Sequence, residues 1–192
     1  MRSKWLAPAC IMTQLIFGAL VYNQLPERVP IHWDINGQVD RTAGRLVGVL
    51  LMPAISAGMW LLLLFVPRID PHRAAYASFA DTYQLIINAL MLFLTLVQTL
   101  VLGAALGWPL SIPQLLGAGV GLLFMVLGNE MGRLKPNWFA GIRTPWTLSD
   151  PENWRRTHRF GGKMFFVAGS LIVASSLLLP PPVSFFVLMT TR

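Results

Sequence analysis

The side chains best suited to catalysis or metal binding are three histidines, one cysteine and eight carboxylates. A metal site needs several such groups converging within a few ångströms. His32, His72 and His158 instead fall in three different loops, and the charge pattern places His32 across the membrane from the other two. Cys10 has no partner thiol in the chain. No H-E-x-x-H, G-x-S-x-G or phosphate-binding glycine loop occurs. Ser149-Asp150-Pro151-Glu152 reads as a capping box, with Ser149 as N-cap and Glu152 at the third helical position. These residues point away from an enzyme, and they call for no catalytic residue, metal or cofactor.

Recognition chemistry is better represented, and it sits in two loops. The first, residues 23–45, carries Pro30-Ile31-His32-Trp33-Asp34, then Asn36-Gly37, then Val39-Asp40. Asn-Gly between short alternating runs predicts a hairpin with a type I′ turn. The second, residues 129–162, carries Asn137, Gly141, Arg143, Thr144, Pro145 and Trp146. A basic helix follows in which Trp154, Thr157, His158 and Gly161 share one face, while Arg155, Arg156 and Arg159 point elsewhere. Such a helix suits an anionic membrane surface. The density of Gly, Pro, Asn and Trp ahead of it predicts a folded cap with specific contacts.

Apolar stretches position both loops. The chain is 55% hydrophobic and 12% charged, against about 25% charged in an ordinary soluble domain. That excludes disorder, and a single cysteine excludes a secreted disulfide scaffold. Spanning a bilayer takes roughly 20 apolar residues. Residues 5–22, 46–66, 85–106 and 112–128 qualify or come close, as does 160–179 if Lys163 snorkels. Residues 183–189, beyond Pro180-Pro181-Pro182, are too short to cross and read as a truncated sixth helix or an interfacial stub. No small-x-small site follows the first stretch, so it reads as a retained helix and not a cleaved signal. The expected fold is an all-α polytopic bundle with a small extracytoplasmic hairpin-like loop and a cytoplasmic capping loop. It divides into residues 1–66, with the first two spans, and residues 67–192.

The net charge of +7 is unevenly placed. With the N-terminus inside, eleven Lys and Arg residues face the cytoplasm, Lys163 included, and four face outward. The positive-inside rule then makes the N-terminus and residues 129–162 cytoplasmic and residues 23–45 extracytoplasmic. The basic balance reflects topology, and no direct nucleic-acid binding is expected.

The segment running from Asn137 through Gly141-Ile142-Arg143-Thr144-Pro145-Trp146-Thr147-Leu148 to Trp154-x2-Thr157-His158-Arg159-x-Gly161 resembles the signature of the SdpI immunity-protein family. Pro30-x-His32-Trp33 and Gly37-x2-Asp40 resemble the extracytoplasmic element that such proteins carry. The resemblance implies a multi-pass protein of the bacterial plasma membrane, usually with six helices. It also implies protection against a secreted toxic peptide and capture of a small DNA-binding autorepressor at the membrane. This chain departs from the pattern at its C-terminus. The alternative is a small transporter or channel for a peptide or ion, which an uncharged interior disfavours.

Within the spans, Asn88 and Thr95 lie on a polar face with Gln84 and Thr99. Gly117, Gly121 and Gly128 form a small-residue stripe with Gly132. Both patterns predict helix packing, with spans three and four against each other or their neighbours.

Overall fold

The computed structural model describes residues 3–34 and 36–179. The chain runs α1 (Leu6–Val21), β1 (Arg28–Trp33), β2 (Val39–Gly44), α2 (Arg45–Ile69), α3 (Ala80–Ala105), α4 (Ile112–Met131), the short α5 (Pro145–Ser149) and α6 (Pro151–Leu178). Among the described residues, five helices are long and apolar enough to cross a membrane. Their outward faces carry exposed Met12, Ile16, Leu61, Leu64, Leu122 and Val167. In water this would be a liability, but it is what a lipid-facing surface requires. The chain is a polytopic helical membrane bundle. The proposed sixth helix, residues 183–189, lies outside the described residues.

Helix boundaries differ from the hydropathy reading, because polar residues extend helices beyond the apolar core. The fourth helix continues through Asn129 and Glu130 to Met131. The basic helix and the fifth span are one 28-residue helix. The segment 129–162 is therefore mostly helical. Its irregular part is the short stretch between α4 and α6 that contains α5, and His158 belongs to a helix and not to a loop.

Polar side chains inside the bundle are used for packing. Gln14 on α1 donates from Nε2 to Thr95 Oγ1 on α3 (2.9 Å) and accepts from Ser56 Oγ on α2 (3.1 Å). Asn88 donates to the carbonyl of Ser3 and accepts from Gln84. The polar face of α3 thus turns towards α1. The glycine stripe of α4 turns towards α6. A Cβ on Gly121 would come 2.7 Å from the Gly169 carbonyl oxygen, and one on Gly128 would come 2.6 Å from that of Gly162. Gly117 abuts Ser176. Backbones this close gain dispersion contacts that lipid cannot match.

Two prolines interrupt α2 internally, Pro53 and Pro67. Each lacks the N–H that would bond the carbonyl four residues earlier. The freed carbonyls are those of Val49 and Leu63. Gln98 Nε2 donates to the first at 3.1 Å and the Tyr83 hydroxyl donates to the second at 2.7 Å. Both donors lie on α3, which so supplies the bonds that α2 cannot make for itself.

Candidate functional site

At one end of the bundle, β1 and β2 pair antiparallel as a hairpin. Val29, fully buried, seats it against Gly48 on α2, within a cluster that includes Leu25, Val49, Val101 and Leu102. Its turn is not type I′. Among the described residues of the turn, Gly37 has positive φ (+80°) and Asn36 does not. Asp34 organises the tip instead: its Oδ1 accepts from the backbone N–H of Asn36 (2.9 Å) and Gln38 (2.8 Å). Those donors hold its carboxyl below the usual carboxylate range, the Gln38 bond first among them. Gly37 rests on Pro113 at the start of α4. His32 Nδ1 and Asp40 Oδ1 lie 2.6 Å apart across the strands, and both side chains are largely solvent-accessible. Trp33 is half-buried against the core, and Pro30 is half-buried beside it. Of the hairpin residues singled out by sequence, His32 and Asp40 are exposed and Trp33 is exposed in part.

At the opposite end, the chain between α4 and α6 folds into a cap on the helix ends. Its centre is the stacked pair Trp154 and His158, with ring centroids 4.0 Å apart. Both are buried. Trp154 Nε1 donates to the Leu134 carbonyl at 2.9 Å. His158 Nδ1 lies 2.8 Å from the Trp154 carbonyl, and its Nε2 accepts from the Ile142 N–H at 2.9 Å. One proton, on Nδ1, satisfies both nitrogens; the tautomer is assigned from these partners. A second proton on Nε2 would set donor against donor. Gly141 passes so close over this ring that an added Cβ would strike His158 Nε2, and its φ of +114° disfavours any side chain. Gly161 leaves room for Ile142.

Asn137 does for the loop what Asp34 does for the hairpin. Its Oδ1 accepts from the N–H groups of Phe139 (2.9 Å) and Ala140 (2.6 Å), and its Nδ2 donates to the carbonyls of Lys135 and Ala140. The capping box falls elsewhere than on Ser149. Thr144 and Thr147 form it reciprocally at the start of α5, with Pro145 at the first turn. Asp150 caps α6 by accepting from the Glu152 N–H. Pro151 explains the choice: proline favours the first helical position, which makes its predecessor the cap. Ser149 instead donates to the Trp146 carbonyl.

The motif residues thus divide. Asn137, Gly141, Thr144, Trp154, His158 and Gly161 hold the cap together, and Thr157 bonds Asn153 on its own helix. Arg143, Pro145, Trp146 and Arg159 are exposed. Trp146 is 69% exposed, and Trp138 and Phe139, earlier in the same loop, are also open. Arg143 Nη1 donates to the Trp138 carbonyl at 2.6 Å, which ties the exposed guanidinium to the stretch that carries Trp138 and Phe139. Arg155 and Arg156 are both tied to Glu152.

Sequence reasoning missed two buried carboxylates. Asp70 closes α2, and Glu130 lies in the last turn of α4, where it accepts from Thr82 on α3 (2.9 Å) and pairs with Arg133 (2.7 Å). Charged residues at the edge of an apolar run read as loop, which concealed both. No group of three or more His, Cys, Asp or Glu residues converges to hold a metal among the described residues.

Comparison with known proteins agrees with this architecture. Residues 133–191, which include the cap and α6, match the SdpI/YfhL protein family. Residues 10–57, which include the hairpin, match a domain of unknown function. The chain is 26% identical over 172 residues to a protein named "Immunity protein SdpI" from Bacillus subtilis (strain 168), covering 90% of this chain and 80% of the relative. No solved structure matches it. The chain is a multi-pass helical membrane protein that is similar to these proteins.

Proposed function

We propose that this chain is an immunity protein of the bacterial plasma membrane, which protects its cell against a secreted toxic peptide and holds a small autorepressor at the membrane. The observation that carries the reading is its similarity along nine-tenths of its length to a protein named for immunity. The architecture is suited to the task, with one folded element at each end of a compact bundle. The excess of Lys and Arg on the cap side makes that side, and the N-terminus, cytoplasmic. The hairpin is then extracytoplasmic and meets the peptide through His32, Trp33 and Asp40, with Pro30 and Gly37 shaping the strands. The cap meets the repressor through Arg143 and Trp146. The reading is one of recognition, in which these side chains bind a partner on each side of the membrane.

Expression of the chain in a toxin-sensitive strain tests the reading. Survival in the cognate peptide should rise, and His32→Ala or Asp40→Ala should abolish the gain at unchanged protein level. Reporter fusions after Asp40 and after Asp150 should report opposite sides of the membrane. Unchanged survival, with the repressor still cytosolic, would move the assignment to a transporter.

A further inference from the structure

Helix α2 is joined to the hairpin at one end and bonded to the cap at the other. β2 ends at Gly44 and α2 begins at Arg45 with no linker. One turn on, Gly48 presses against Val29, where an added Cβ would lie 2.7 Å from the Val29 Cβ. At the far end stands Asp70, 2% exposed. Its Oδ1 accepts from the His72 N–H (2.7 Å), and its Oδ2 accepts from the Tyr76 hydroxyl (2.8 Å) and the Trp138 N–H (3.0 Å). The Trp138 carbonyl in turn receives Arg143 Nη1. A chain of two hydrogen bonds therefore runs from the end of α2 through the backbone of Trp138 to the exposed guanidinium.

A buried carboxylate is costly unless its donors are held in place. Asp70 is held by the turn that follows α2 and by the cap loop, so it fastens the one to the other. Between its ends, α2 is braced at both proline breaks by Gln98 and Tyr83. A packed, braced helix passes a displacement along its length and does not absorb it.

We propose that Asp70 is a positioning residue through which α2 couples the hairpin on one side of the membrane to the Trp138–Arg143 face of the cap on the other. This rests on the reading of that face as the partner surface. It identifies how occupancy of the hairpin reaches it. The competing route runs from the hairpin tip at Gly37 through Pro113 and α4 to Glu130 and Thr82.

Hydrogen exchange of the full chain in lipid nanodiscs, read by mass spectrometry, tests the coupling without toxin or repressor. Gly48→Ala disturbs the hairpin at its seat, and Val29→Ala does so from the other side of the same contact. Either should change amide exchange across residues 135–148, at the opposite end of the bundle, by about threefold or more. In an Asp70→Asn background the same substitutions should alter the hairpin and leave residues 135–148 at that background's own level. In a Thr82→Val background the response of the cap should persist. If the hairpin responds and the cap does not, or if the cap response survives Asp70→Asn, the proposal is overturned. Where Asp70→Asn does not yield monodisperse protein, Tyr76→Phe removes one donor from the same carboxylate. It should weaken the cap response, and a response of full size overturns the proposal. Survival assays report on the immunity reading separately, so the two can fail independently.

Discussion

The hydroxyl of Tyr83 donates to the carbonyl oxygen of Leu63 at 2.7 Å, at the carbonyl that Pro67 deprives of its helical donor. In lipid no water can take that role, so the bond is structural. Losing it should cost about 1–2 kcal/mol. Tyr83→Phe is expected to lower the thermal unfolding midpoint in detergent. Pro67→Ala restores a backbone N–H within reach of Leu63, so the same Tyr83→Phe change should cost markedly less in that background. An equal cost in both backgrounds would refute the pairing of donor with proline.

Such a pairing could not be read from sequence. Tyr83 and Leu63, or Gln98 and Val49, are brought together by the packing of two helices, and no local pattern links them. Asp70 and Trp138 are separated in sequence by two complete spans, α3 and α4. What the sequence did disclose rests on short-range physics. The apolar runs located the spans, and Asn36-Gly37 located the hairpin turn. The spacing of Trp154, His158 and Gly161 located the buried face of α6. The errors were also local. Ser149 and Asp150 are both good caps, and Pro151 decided between them. Asn36 was assigned a positive φ that the side chain of Asp34 makes unnecessary.

The contact between α4 and α6 leaves no room for a side chain at Gly121, where an added Cβ would sit 2.7 Å from both the Gly169 carbonyl oxygen and Val173 Cγ2. Gly121→Leu should therefore force the helices apart and sharply lower the folded yield in detergent. The adjacent Leu122 is 54% exposed to lipid. Leu122→Ala removes most of a large side chain yet should leave yield and melting nearly unchanged. Yield is measured by size-exclusion chromatography, and equal losses would show that the stripe does not mediate the packing.

The hairpin tip should depend on acid in a defined direction. Asp34 is held below its ordinary pKa of 3.8, chiefly by the Gln38 N–H. A group depressed in the folded state stabilises it fully above the unfolded pKa, and the contribution fades as pH falls through the lower folded value. The tip should thus stay closed at neutral and mildly acidic pH and open only below the usual aspartate range. Amide exchange at Gln38 and Asn36, corrected for intrinsic rates, follows this directly. In Asp34→Ala the tip should be open at every pH. Opening in the wild type well above the usual aspartate range would rule out Asp34 as the cause.

The exposed face of the cap separates specific docking from adhesion to lipid. If anionic lipid were the only partner, each arginine near the surface would contribute about 1 kcal/mol, and the residues would be interchangeable. The structure makes them unequal. Arg155 and Arg156 share Glu152, which offsets part of their charge. Arg143 is fixed to the Trp138 carbonyl, and the same loop exposes Trp138, Phe139 and Trp146, residue types that favour protein recognition. Arg143→Ala or Trp146→Ala should reduce the membrane-bound share of a tagged repressor by about tenfold, equivalent to roughly 1.4 kcal/mol. Arg155→Ala should change it little. Because the hairpin lies at the other end of the bundle, Arg143→Ala should retain part of the protection against the peptide, whereas His32→Ala should lose it. Cell fractionation and survival, measured on the same strains, provide both readouts. An equal, graded loss of repressor for every arginine would assign the cap to lipid adhesion and remove the docking role.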